Sequence, residues 1–347
     1  MKVIFLFLSC VIAVSSFTNP VFADGPQTVT VQATVKKIEA EKITVEVNEG
    51  AMKGQALEAQ SNPSASGQSM HFSVGEKVYV SYFKDQTGRE TVYIVDFVRD
   101  QSLFILFFFF LLSVVLIGKW KGFTSFIGMV ISFFIIAQFV IPQILAGNDP
   151  VLISLLASLF IVPVTFYIAH GFDKKTTTAI AGTFISLVLT AFLSYFFIHL
   201  TKLTGFASEE ATYIQMMKAG SINIKSLLLA GIIIGALGIL NDITIAQTAV
   251  IEKLAELNPR WGFGELYSHS MSVGREHIAS LVNTLILVYT GAALPLFLLF
   301  YSANTSFIYA MNQEVVATEI VRTLVSSIGI IAAVPITTAI AAFFIKK

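Results

Sequence analysis

From Gly231 to Phe300 the chain reads GIIIGALGILNDITIAQTAVIEKLAELNPRWGFGELYSHSMSVGREHIASLVNTLILVYTGAALPLFLLF. Two apolar segments, near 226–250 and 277–301, are each long enough to cross a bilayer, which takes roughly 20 mostly apolar residues at about 1.5 Å per residue. Within or beside them stand Asn241, Asp242, Gln247, Arg275, Glu276, His277 and Asn283, polar groups that are awkward to place in lipid. Counting inward from Ser226, Asp242 lies about 24 Å into a hydrocarbon layer of roughly 30 Å. A charge there costs at least about 2 to 3 kcal/mol on insertion scales, so the carboxylate is expected to face a bundle interior or water, or to be protonated.

Two readings of Asn241-Asp242 compete. In one, the pair interrupts the helix inside the membrane and its freed backbone groups bind an ion or solute. In the other, the span ends at Leu240 and Asp242 caps an interfacial helix. Ahead of the pair, Gly231, Gly235 and Gly238 make a small-residue face that permits close helix contact. On the following span Glu276, Ser280, Asn283, Leu287 and Thr290 recur at spacings of four, three, four and three, a single polar-leaning stripe expected to look into the same interior as Asp242. Arg275 reads equally well as a positive anchor at the cytoplasmic edge. His269, Glu276 and His277 fit no HExxH-type spacing, so no metal is assigned. Ser272 or Ser280 with His277 is the only nucleophile-and-base pairing in view, and nothing in the sequence fixes its geometry.

Five more stretches have spanning length, near 102–118, 123–145, 151–169, 177–200 and 321–345, which makes about seven spans. The composition agrees: 347 residues, 55% hydrophobic, 13% charged, 31 Phe and a mean hydropathy of +0.77, against roughly 25% charged in soluble domains. Lys+Arg and Asp+Glu both total 22; there is no basic field to suggest nucleic acid. Pro142, Pro163, Pro295 and Pro335 fall within or near the ends of spans, where proline marks either a kink lining a cavity or a ladder repaired by neighbours. Ala292-Ala293-Leu294-Pro295 is echoed by Ala332-Ala333-Val334-Pro335, too short a match for an internal repeat.

The chain starts with Lys2, an apolar run from Val3 to Val14 and a small-residue site at Val21-Phe22-Ala23, the parts of a signal peptide over 1–23. Cys10, the only cysteine, lies inside it, so the mature chain has neither a disulfide nor a thiolate. Residues 24–100 alternate with period two: Val29, Val31, Ala33 and Val35 on one face of the first run, then Ile43 to Val47, Val78 to Tyr82 and Val92 to Phe97. Turn signals separate the runs, which predicts a small antiparallel barrel or sandwich. Residues 101–347 are then the helical transmembrane domain. With the β domain outside the cytoplasm, nine Lys and Arg fall on the cytoplasmic side, from Lys119 to Lys347, against five on the other, from Arg99 to Arg322. This places the C-terminus inside.

Gly238-Ile239-Leu240-Asn241-Asp242 with Gln247, Asn258-Pro259, Ser272 to Ile278, Asn283-Thr284-Leu285 and Tyr289 to Pro295 together resemble the YibE/F family of bacterial multi-pass membrane proteins. The resemblance runs from about 103 to 345, and the family's usual layout includes the preceding outer domain. Its pattern more often has Asp where Glu276 stands and another residue at Asn241, which keeps a carboxylate at both main positions. It implies a permease-like protein of the plasma membrane without an assigned substrate. The expectation is an ion or small-solute pathway through Asp242 and Glu276, completed by Asn241, Gln247, His277, Asn283, Arg275 and Ser280, with no cofactor and no catalytic residue. The alternative is a non-transporting sensor or assembly factor whose outer domain binds a protein partner.

Overall fold

The computed structural model describes residues 29–39, 42–61, 71–84, 90–217, 220–303 and 305–345. The expected signal peptide and Cys10 lie outside them. The chain divides into two compact units that separate near residue 116.

The first unit is a closed five-stranded barrel: β1 (Val29–Glu39), β2 (Lys42–Val47), β3 (Ala56–Ser61), β4 (Lys77–Lys84) and β5 (Glu90–Phe97). Its order is β1-β2-β3-β5-β4 and back to β1, with β3 and β5 parallel and the other pairs antiparallel. Closure leaves no free edge, the general solution for a small all-β domain. The period-two pattern sends Val31, Ala33, Val35, Ile43, Val45, Val47, Ala59, Val78, Val80, Val92 and Ile94 inward, all buried. The β3 strand, AlaLeuGluAlaGln in its run, lacks β-branched residues and was not among the four expected strands; pairing on both sides holds it.

The rest of the chain is helical, and the boundary between the units falls inside its first helix. α1 (Asp100–Ile135) continues through a π-turn (Ile136–Val140) into α2 (Ile141–Leu145); α3 (Pro150–His170), α4 (Lys174–Leu200), α5 (Glu209–Met217), α6 (Ile224–Leu257), α7 (Phe263–Ala292), α8 (Leu294–Ser302), α9 (Phe307–Asn312) and α10 (Glu314–Phe344) follow. Five of these helical stretches are long and apolar enough to cross a membrane, or six if the bent α7–α8 pair is one span. That tally takes residues 100–145 as one stretch, although Lys119 (φ 51, ψ −136) interrupts it with non-helical backbone. The π-turn has a local cause: Pro142 offers no N–H to the carbonyl of Gln138, and the ladder widens just before it. Asp149 and Asp173 cap α3 and α4 through the amides of Leu152 and Thr176.

Small residues set the packing. α4 and α10 run antiparallel so that Thr337 lies against Gly182 and Thr190 against Gly329, each hydroxyl occupying the place a Cβ would take. α4 meets α6 through Thr183 and Thr244, whose hydroxyls are 2.7 Å apart, and through Lys175 and Glu252 at 2.9 Å. Buried hydroxyls of Ser154, Thr183, Thr190, Ser194, Thr248 and Thr338 donate to carbonyls four residues back. This is how small polar groups are satisfied where no water reaches.

Candidate functional site

α6 is a single unbroken helix of 34 residues, so neither reading of Asn241-Asp242 holds: the pair neither interrupts the span nor caps a second helix. No proline or terminating glycine falls there, and the first stop is Asn258-Pro259, where Asn258 is the C-cap. One face of α6 is wholly buried through Ile233, Ala236, Leu240, Ile243 and Gln247. The opposite face carries Gly231, Gly235, Gly238 and Asp242, all exposed. A Cβ built on any of the three glycines meets nothing within 4 Å. The small-residue face therefore does not pack on a neighbour; it is an open stripe that ends at a carboxylate.

Gln247 lies between helices. Its Nε2 donates to the Ser270 carbonyl at 3.1 Å and to Thr338 Oγ1 at 2.8 Å, tying α6 to α7 and α10. Gly274 makes room for this, since a Cβ there would come 2.5 Å from Val334 Cγ1 and 3.2 Å from Gln247 Nε2. These contacts fix the antiparallel register of α6 and α7. Five residues from Gln247 along α6 comes Asp242; the same rise along α7, from between Ser270 and Gly274, reaches Glu276 and His277. The two carboxylates thus stand at one depth.

Their faces differ. α7 buries Leu266, Ser270, Gly274 and Leu285, while Glu276, Ser280 and Asn283 are exposed and His277 is half-buried. The polar stripe of α7 exists as read, but within one chain it looks away from the bundle rather than into it. The reason is steric: only the Ser270–Gly274 face is small enough to admit Gln247 and Val334. Among the described residues no hydrogen bond or ion pair joins Asp242 to Glu276. Arg275 is exposed and donates through Nε to the Met271 carbonyl at 3.3 Å. Asn241 is half-buried, and its Oδ1 has no hydrogen-bond partner. His269 stacks on Trp261 with ring centres 4.3 Å apart and Ser272 donates to the His269 carbonyl; among the described residues no hydrogen bond joins Ser272 or Ser280 to His277.

A cavity of about 560 Å³ opens at the α5 end of the bundle. Its walls are α5, the first turns of α6 and α10, and the junction of α7 with α8, which bend by 62° at Ala293. The bend has a plain cause: Pro295 cannot donate to the carbonyl of Gly291. Gly205 (φ +92) shapes another wall, and a Cβ there would stand 2.7 Å from the Ile224 carbonyl. The Glu314 carboxylate holds that turn by accepting from the Thr204 amide and hydroxyl, each at 2.7 Å, and from the Gly205 amide at 2.9 Å. Inside, Glu319 and Arg322 pair at 2.9 Å, both partly shielded. Thr318 is 2% exposed, and its hydroxyl has no hydrogen-bond partner. Glu210 and Gly231 also line the cavity, so the stripe on α6 begins at its wall.

Glu210, Thr318, Glu319 and Arg322 were not among the residues singled out from sequence. A signal was present: Glu319 and Arg322 are oppositely charged at i and i+3. A span starting at 321 makes Arg322 a flanking charge, whereas α10 begins seven residues earlier at Glu314. No curated protein and no solved structure matches the chain. Residues 106–347, which take in most of α1 and every later helix but not the barrel, match the family described as YibE/F-like protein, and the chain belongs to that family.

Proposed function

We propose that this is a plasma-membrane permease that carries an ion or small solute along the open face of α6. The observation that supports it is the stripe itself: Gly231, Gly235 and Gly238 leave clear space from the wall of the cavity to Asp242, a run of about 17 Å at 1.5 Å per residue. Asp242, level with Glu276 and His277, is the binding or relay group near the far end. A carboxylate held at that depth is costly, and function is the usual reason to keep it. In this reading residues 24–100 are extracytoplasmic and the C-terminus is inside. Residues 100–145 make two spans: 46 residues would reach about 69 Å as one helix, more than twice the hydrocarbon thickness, and Lys119 is the turn between them. The leader over 1–23 directs the barrel across the membrane.

Cysteine scanning tests the path. With Cys10 replaced by Ser, Gly235→Cys and Gly238→Cys in reconstituted chain are expected to react with a membrane-impermeant thiol reagent, while Ile233→Cys on the buried face does not. Lipid against the stripe would leave all three unreactive, and the path would be wrong.

A second reading, a sensor or assembly factor, draws support from exposed apolar side chains on the barrel, Ile38, Val74 and Val95, which offer a protein partner a surface. Removing residues 27–97 separates the two. The permease is expected to retain measurable flux, and a partner-binding scaffold to lose its whole function.

A further inference from the structure

We propose that the cavity at the α5 end is a binding site for a small zwitterion, a solute carrying one ammonium, one carboxylate and an apolar substituent. The inference rests on the permease reading for its physiological purpose and on the cavity alone for its chemistry. A volume of about 560 Å³ falls in the range of small-molecule pockets, and such pockets join apolar walls to a few convergent polar groups. The walls here are Ile214, Leu227, Leu228, Leu296 and Val315.

The polar groups are specific in kind. Glu319 and Arg322 neutralise each other at 2.9 Å across one turn of α10. A lone anion drawn to Arg322 would displace Glu319 and strand a shielded carboxylate; a lone cation drawn to Glu319 would strand the guanidinium. The pair is shielded only in part, so breaking it from one side costs something, though less than for a fully buried pair. A zwitterion replaces both partners at once, its carboxylate taking the guanidinium donors that face Glu319 and its ammonium taking Glu319. Glu210 on α5 lines the same space and supplies a second carboxylate for the ammonium. Thr318 contributes to the wall through its buried side chain, so the polar contacts fall to Glu319, Arg322 and Glu210. The α7–α8 break adds backbone that a straight helix would not present, as in transporters whose sites sit at discontinuous helices.

The test is binding by the full chain in phosphatidylcholine nanodiscs free of amine lipid, measured calorimetrically with leucine, with isoamylamine, which lacks the carboxylate, and with isocaproate, which lacks the amine. Leucine is expected to bind, and each analogue about tenfold or more weaker, the usual loss when a charge-assisted bond is removed and its partner left unpaired. Arg322→Gln is expected to remove the preference for leucine over isoamylamine, and Glu319→Gln the preference for leucine over isocaproate. Equal binding of leucine and isoamylamine, or a preference for leucine that survives Arg322→Gln, overturns the proposal. So does an absence of leucine binding while phosphatidylethanolamine alone stabilises the chain, since the cavity then holds a lipid headgroup. Failure of the permease reading looks different: leucine binds, and no solute crosses in an Asp242-dependent way.

Discussion

Asp242→Asn is expected to reduce flux in reconstituted vesicles to the level of empty liposomes while leaving the chain at least as stable as before. Both halves follow from one placement. Asp242 is exposed on the open face of α6 and makes no ion pair or hydrogen bond among the described residues, so its removal breaks nothing. In a bilayer the carboxylate carries an insertion cost, about 2.5 to 3.5 kcal/mol at a helix centre and less toward the edge, that the amide largely avoids. A variant that gains stability and loses activity has given up a functional group. Glu276→Gln, level with Asp242 but on the outer face of α7, is expected to lower flux less. Flux and thermal stability in the same bilayer decide the matter. Undiminished flux in the Asn variant would remove Asp242 from the pathway, and a fall in stability would make it a structural residue.

The second large effect is on folding. Gly329→Ala sets a methyl 3.0 Å from Thr190 Cβ and 3.2 Å from its Cγ2, and against its hydroxyl. Thr190 has little freedom to yield, because its hydroxyl donates to the Ser186 carbonyl at 2.8 Å and its side chain is fully buried. α10 must then retreat from α4 along the most extensive helix contact in the bundle. Overpacking of this kind costs about 1 to 3 kcal/mol, and the loss should appear as lower folded yield and an earlier thermal transition. Thr190→Ala in the same chain removes the nearest atom and is expected to recover part of it. Gly235→Ala is the matched control. It adds the same methyl where nothing lies within 4 Å, so its thermal transition should stay where it was. A Gly329→Ala protein as stable as its parent would mean that α4 and α10 do not meet as described.

The contrast between those glycines marks the limit of what the sequence tells. The alternation of Val29, Val31, Ala33 and Val35 already specifies which side of β1 goes inward, because a strand half in water has a period that burial must follow. Membrane helices carry no such record. Ile232 and Ile234 are as apolar as each other, yet one is buried and the other only partly, since lipid and protein interior are equally good solvents for a hydrocarbon side chain. For the same reason Gly231 and Gly329 read alike in sequence, and Glu276 could be assigned to a stripe but not to a direction. Glu319 and Arg322 were legible as a pair and illegible as a lining, because the bend at Pro295 that opens the cavity beside them comes from another helix.

The amino-acid sequence by itself determined that this chain has the apolar helices of a membrane protein with a β domain ahead of them, and that it is of the YibE/F kind. Those are matters of local composition, length and motif. Tertiary structure alone decided that the glycine face of α6 is open while those of α4 and α10 are filled by threonine, that Gln247 is a lock between helices, and that the polar stripe of α7 turns outward. In a helix apolar on every side, direction comes only from which small residues let a neighbour close, and that depends on partners far away in the chain.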